Sequence, residues 1–269
     1  VVKGRARAIP PLVIAAWTQG VAFTAWLAFF LVSGHPFAAP GPAWPAIAAS
    51  AILAMALNAL LARASARGDI SIVGPIFALS PLFTVLPDAA LSGSLPSPLG
   101  WLGLALSVAG VTSLSGAGGP WRALRAVFVR RDARDALAAA FVLGLLASVD
   151  RWAALALGPP SYLVCSHGAA ALVSATAALV TAPRGFAASA APRDVLTLIV
   201  HGLLGVSGTG MQTGALTMAP AAYVNAIRRL SAVVAVILGR ALFREADTGR
   251  RLVAALLACA GAACLLLAH

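Results

Sequence analysis

Nine apolar runs of about 20 residues each dominate this chain, near 10–33, 45–63, 69–92, 98–116, 134–157, 160–182, 193–213, 219–242 and 249–268. A helix rises ~1.5 Å per residue, so roughly 20 residues cross ~30 Å of hydrocarbon. With 61% hydrophobic and only 10% charged residues, a soluble domain could not keep this much apolar surface from water. The runs are continuous and rich in Ala, Leu and Val, whereas a membrane barrel needs short alternating strands. The expected fold is an all-α integral membrane protein with nine transmembrane helices. Lys3, Arg5 and Arg7 precede the first run as in a signal peptide, but its 24 residues exceed a signal core, so it is expected to be a retained span. Cys165, Cys259 and Cys264 all fall within spans and predict no disulfide framework.

The net charge of +11 would suit a nucleic-acid partner if it were clustered on one surface. It is dispersed instead. Sixteen of the nineteen basic residues occupy alternate connections: 3–7, 63–67, 122–134, 184–193 and 240–251. The intervening connections, GHPFAAPGPAWP, SGSLPSP, GPPS and TMAP, contain none. That alternation is the positive-inside bias of a multispanning protein, so the basic loops are expected in the cytoplasm and no nucleic acid is implied. Six of the eight acids, Asp69, Asp132, Asp135, Asp194, Glu245 and Asp247, sit beside expected helix starts, where caps and the helix dipole explain them.

The two halves of the chain resemble each other. GPIFALSPLFTVLPDAALSGSLPSPLGWLGLALSVAG (74–110) lies without a gap over NAIRRLSAVVAVILGRALFREADTGRRLVAALLACAG (225–261), and Pro10-Pro11 matches Pro159-Pro160. The matched loops carry opposite charge: SGSLPSP is neutral where READTGRR is basic. Two copies with opposite orientation require an odd number of spans each. The second copy has five and the first has four, so an opening helix of about 20 residues is expected upstream of residue 1. The domain reading is a first repeat at 1–116, a basic cytoplasmic linker at 117–133 and a second repeat at 134–269.

At these residues the sequence resembles the EamA-type, ten-helix branch of the drug/metabolite transporter superfamily. DISIVGPIFALSPLF…LPSPLGWLGLALSVAGV carries the resemblance in one half, and AYVNAIRRLSAVVAVILGRALFREADTGRRLVAALLACAG in the other. It implies two inverted five-helix repeats, the first lacking its first helix here, around a cavity that exchanges substrate by alternating access. It also implies a permease rather than an enzyme, with no cofactor. Glu245 fits the acid that members often place after the ninth helix, while Ser94 departs from its counterpart after the fourth.

Five ionisable groups remain inside spans: Asp88, Asp150, Arg151, Arg228 and Arg229. Asp88, after Pro87, reads as interfacial. Arg228 lies roughly 12 Å along its helix from Pro220, too deep for a long side chain to snorkel out fully. Each such charge costs at least ~2.5–3.5 kcal/mol on insertion scales, so the pair is expected to face water or an anion. Asn225 shares their helix face at i−3 and i−4. Asp150 lies at matching depth, roughly 10 Å from its outer helix end, and His167 comes on the next helix. The expected substrate site comprises Arg228, Arg229, Asn225, Tyr223, His167 and Trp17, with Asp150 and Arg151 as a coupling group or ion pair and Tyr162 at the rim. Asp150 or His167 is the candidate for a coupling proton. The competing reading makes Asp150 and an arginine a structural bolt, the histidines and Trp17 helix packing.

Two other classes stand as alternatives. Ser207 in GVSG, with His201 or His167, would suit an intramembrane serine hydrolase, although small residues are ordinary at membrane helix contacts. A channel or scaffold is the other. No metal-ligand motif or phosphate loop is present in the sequence. The expected partners are thus a small-molecule substrate and the lipid bilayer, and the expected location is the bacterial cytoplasmic membrane.

Overall fold

Proline opens five of the helices in the computed structural model: α1 (Pro11–Ser33), α4 (Pro98–Ser113), α6 (Pro159–Thr181), α7 (Pro183–Ala188) and α8 (Pro192–Met218). At a helix start the missing N–H costs nothing, because that donor has no partner within the helix. The other labelled helices are α2 (Trp44–Arg67), α3 (Ser80–Ser92), α5 (Arg131–Leu157) and α9 (Thr248–Leu267). The structure describes residues 9–67, 76, 77, 79–92, 97–113, 131–219 and 248–267, with isolated helical positions from 221 to 241. Among the described residues there is no strand.

Five of these segments, Pro11–Ser33, Gly41–Ala66, Ala133–Leu157, Pro159–Thr181 and Asp194–Met218, are long and apolar enough to cross a membrane. Their outward faces are oily: Val32 is 88% exposed, Met218 87% and Met211 79%. In water such a surface would aggregate, whereas in lipid it is the solvated side. The protein is a multi-pass α-helical membrane protein.

The chain forms two compact units, each taking one stretch from either half. The first joins Val1–Ala66 with Val149–Ala219. In it α1 packs against α6 and α8. Ile9, Val13, Ile14, Ala16, Ala62, Ala178 and Leu198 form a core at one end, and Ala43, Ile47, Ala153, Ala154, Leu157, Tyr162 and Leu163 a second core. The start of α1 meets the late part of α6, while Trp26 packs with the α6 start, so the two helices run antiparallel. Glycine sets the α1–α8 approach: a Cβ on Gly202 would lie 2.7 Å from Val21 Cβ, and one on Gly210 would collide with the Trp26 indole.

The second unit joins Arg67–Ser148 with Pro220–His269. Here α4 packs along α9, and Val85 and Leu104 form a small core with Leu82. Gly144 lets the Phe83 backbone come close, and the Phe83 ring meets Phe141 edge-on at 5.5 Å.

Candidate functional site

A one-residue link creates the main polar cluster. α5 ends at Leu157, Gly158 adopts φ 74°, and α6 starts at Pro159. Glycine takes that left-handed conformation without a Cβ penalty, and the following Pro-Pro cannot continue α5. The resulting hairpin turns Tyr162 of α6 back toward Asp150 of α5. Tyr162, 2% exposed, donates to Asp150 Oδ1 at 2.5 Å. Ser50 of α2, 3% exposed, donates to the same oxygen at 2.8 Å and lies 3.0 Å from the Tyr162 hydroxyl. Ser50 is one turn from Ile47, whose burial against Ala153 and Ala154 fixes that face of α2 on α5.

Three helices therefore meet at a triangle of oxygens. With Asp150 ionised, two hydroxyl protons serve three short contacts, so one edge has no proton. A third proton, on Asp150, would supply every edge.

A second polar pair joins α1 and α6: His167 Nδ1 lies 2.6 Å from Gln19 Oε1. With the amide oxygen as the acceptor, this contact takes its proton from Nδ1. Gln19 is buried at 4%. Arg151 turns elsewhere, its Nε donating to the Ala219 carbonyl at 3.2 Å, just beyond the end of α8. That terminus carries partial negative charge, which suits a guanidinium. Trp17 Nε1 donates to Ser189 Oγ at 2.9 Å, tying α1 to the segment after α7.

The structure thus brings Asp150 and Tyr162 together with Ser50, and joins His167 to Gln19. Tyr162, expected at the rim, is a buried member of the cluster. Ser50 carried no sequence signal beyond its place one turn after Ile47. Arg228 belongs to the second unit, where it is helical and half-buried. Tyr223, Asn225 and Arg229 lie outside the described residues, as do Asp69, Glu245 and Asp247. Ser207 is exposed, and its hydroxyl returns to the Leu204 carbonyl of its own helix at 3.4 Å, while His167 is engaged by Gln19. Among the described residues no group of three His, Cys, Asp or Glu side chains could hold a metal ion.

A multi-pass helical bundle with hydrogen-bonded ionisable groups inside its spans has the features that a membrane transport protein uses. Residues 1–116 match the model of the EamA-like transporter family, a family of the drug/metabolite transporter superfamily. No curated protein matches the chain. Fourteen chains of solved structures do. One of them, described as "Crystal structure of protein", shares 19% identity over 99% of this chain and 92% of its own, with a TM-score of 0.70. That likeness establishes a shared fold.

Proposed function

We propose that the protein is a secondary transporter that moves a small polar metabolite or drug-like solute across the bacterial cytoplasmic membrane by alternating access, its basic loops cytoplasmic. Asp150 is the proton-coupling group, and Arg228 supplies positive charge for an anionic part of the substrate.

The observation that carries this reading is the oxygen triangle of Asp150, Tyr162 and Ser50. A carboxylate in a span costs at least ~2.5–3.5 kcal/mol on insertion scales, more than a packing role needs when an apolar residue would serve. Its two hydroxyl partners stabilise the ion, and the edge without a proton makes room for the acid. Proton uptake weakens two charge-assisted bonds that hold α5 to α2 and α6, which is what a coupled carrier requires of its proton site.

The helix pairing supports an inverted-repeat frame. The shift that lays residue 74 over 225 carries α1 onto 162–184 and α4 onto 249–264, beside the observed α6 (Pro159–Thr181) and α9 (Thr248–Leu267). α1 packs on α6 and α4 on α9, so each helix rests against its own counterpart. The same shift exchanges Ile47 and Leu198, buried at 0% and 2% in separate cores of the first unit. Pairing of each helix with its own counterpart is the pattern that a pseudo-twofold relation between repeats produces.

The test uses purified full-length protein. A thermal-stabilisation screen of amino acids, amines and carboxylates finds a ligand, because binding raises the melting temperature by mass action. Vesicles bearing the protein are then loaded under a pH gradient. The Asp150→Asn variant is expected to lose gradient-driven accumulation while retaining solute exchange. Accumulation by the variant at the native level, or loss of exchange along with accumulation in folded protein, refutes the coupling role.

A further inference from the structure

We infer that the α1–α2 connection, residues 34–43 with Trp44 beside it, is a membrane-interface binding surface. Its partner is the ester-carbonyl and headgroup layer of the bilayer, engaged through aromatic rings and not through charge. One span ends at Ser33 and the next begins at Gly41, so the connection stands at the bilayer boundary. α1 has 23 residues, roughly 34 Å of helix against ~30 Å of hydrocarbon, and its last turn therefore reaches the interface.

The chain folds back at that level. Gly34 closes α1 in the left-handed conformation, with φ 66°. The His35 ring then lies 6.4 Å from that of Phe29, and the Phe37 ring 5.9 Å from that of Phe30, both edge-on. Phe29 and Phe30 precede the helix end at Ser33 by about one turn, so the two loop rings come down beside the final turn of the span, roughly 5 Å below its end. The backbone is held from the inner side. The Ala38 N–H donates to Ser161 Oγ of α6 at 3.1 Å, and Pro40 and Ala43 are buried. On this fixed backbone the rings of Phe29, Phe37 and Trp44 face outward, each at least half exposed.

Position and chemistry select the occupant. Leu31 and Val32, in the same turn of α1, are still more exposed and belong to the lipid-facing side of the span. The rings continue that side into the layer above the acyl chains. Aromatic rings suit a place where one edge meets hydrocarbon and the other polar groups, and the Trp44 indole brings an N–H for an ester carbonyl. Between Arg7 and Arg63 the sequence contains no Lys, Arg, Asp or Glu. Basic side chains are what make surface binding respond to anionic lipid and to salt, so this surface should respond to neither.

The experiment places the full chain in nanodiscs of phosphatidylcholine brominated either near the ester end or near the methyl end of its acyl chains. Trp44 emission is read as the difference between the native protein and Trp44→Phe. Bromine near the ester end should quench it strongly, and bromine near the methyl end weakly. Phe37→Trp adds a second reporter, expected at the same depth, which serves alone should Trp44→Phe not fold. Replacing half the lipid by phosphatidylglycerol, or raising the salt to molar strength, should leave both depths unchanged. Stronger quenching by bromine near the methyl end would put the rings in the hydrocarbon core and overturn the proposal. Quenching by aqueous iodide alone would put them in water, with the same result. A depth that shifts with phosphatidylglycerol or salt also overturns it, as does a reporter that no quencher reaches, which would assign the surface to a second copy.

Discussion

Tyr162→Phe is the sharpest probe of the oxygen triangle, because it deletes one hydroxyl and keeps the ring that packs in the core of Ala43, Ile47 and Leu163. The lost bond is a 2.5 Å contact from a residue 2% exposed to a carboxylate oxygen. Hydrogen bonds to charged groups contribute about 1.5–3 kcal/mol in proteins. Polar contacts between membrane helices run lower, averaging about 0.6 with a maximum near 1.7 kcal/mol. Asp150 is half-buried, so the local field is partly screened. The charge assistance and the partial screening together place the cost at about 1–1.5 kcal/mol. The assay is reversible unfolding in mixed micelles, run as a double-mutant cycle with Asp150→Asn. In the Asp150→Asn background the phenol faces a neutral amide, and its removal should cost no more than about 0.5 kcal/mol. Additive single and double mutants, or a neutral Tyr162→Phe, would show that the short contact does not hold these helices together.

Glycines of α8 should divide by what surrounds them. Gly202→Ala sets a methyl 2.7 Å from Val21 Cβ and is expected to destabilise the α1–α8 contact by about 1–3 kcal/mol, seen as a lower melting temperature. Gly205→Ala meets nothing within 4 Å and should stabilise the helix by about 0.5–1 kcal/mol through its better propensity; equal melting temperatures for the two variants would refute the packing assignment. Arg228→Ala is expected to abolish transport while leaving folded protein in the membrane, and unchanged kinetics would remove it from the substrate site.

Hydropathy located the helices well and their ends less well, for a physical reason. The run expected at 160–182 is the helix Pro159–Thr181, since Gly158 and Pro159 mark its start and Pro183 follows its end. The run expected at 45–63 continues to Arg67, and that expected at 193–213 continues to Met218. Arg63 and Ser65 lower the local hydropathy without ending the helix, because hydropathy reports the solvent and not the hydrogen-bond ladder. α8 stops where a breaker stands: Pro220 biases Ala219 toward extended backbone, and its φ of −146° and ψ of 158° comply. Of the span expected at 69–92, the described helix is Ser80–Ser92, which accommodates Pro87 within it.

The site was legible only as far as charge could be counted. Asp150 stood out because an acid in a span has a known cost, and depth along the helix suggested which groups share its level. Depth says nothing about azimuth, however, and azimuth decides partners. Arg151 adjoins Asp150 in sequence but points about 100° away around the helix, to the end of α8. Ser50 is one small polar residue among many in an Ala-rich helix, and only the burial of Ile47 one turn earlier identifies its face. Tyr162 illustrates the same limit: an aromatic near a helix start resembles an interfacial anchor until the turn at Gly158 swings it under the carboxylate. Wherever the sequence displays a net cost, a function can be inferred from it; wherever two inexpensive residues combine to offset that cost, only the fold reveals the combination. Ser50 and Tyr162 are therefore the residues that make the charge on Asp150 tolerable, and under the proposed coupling role they determine how readily it is given up.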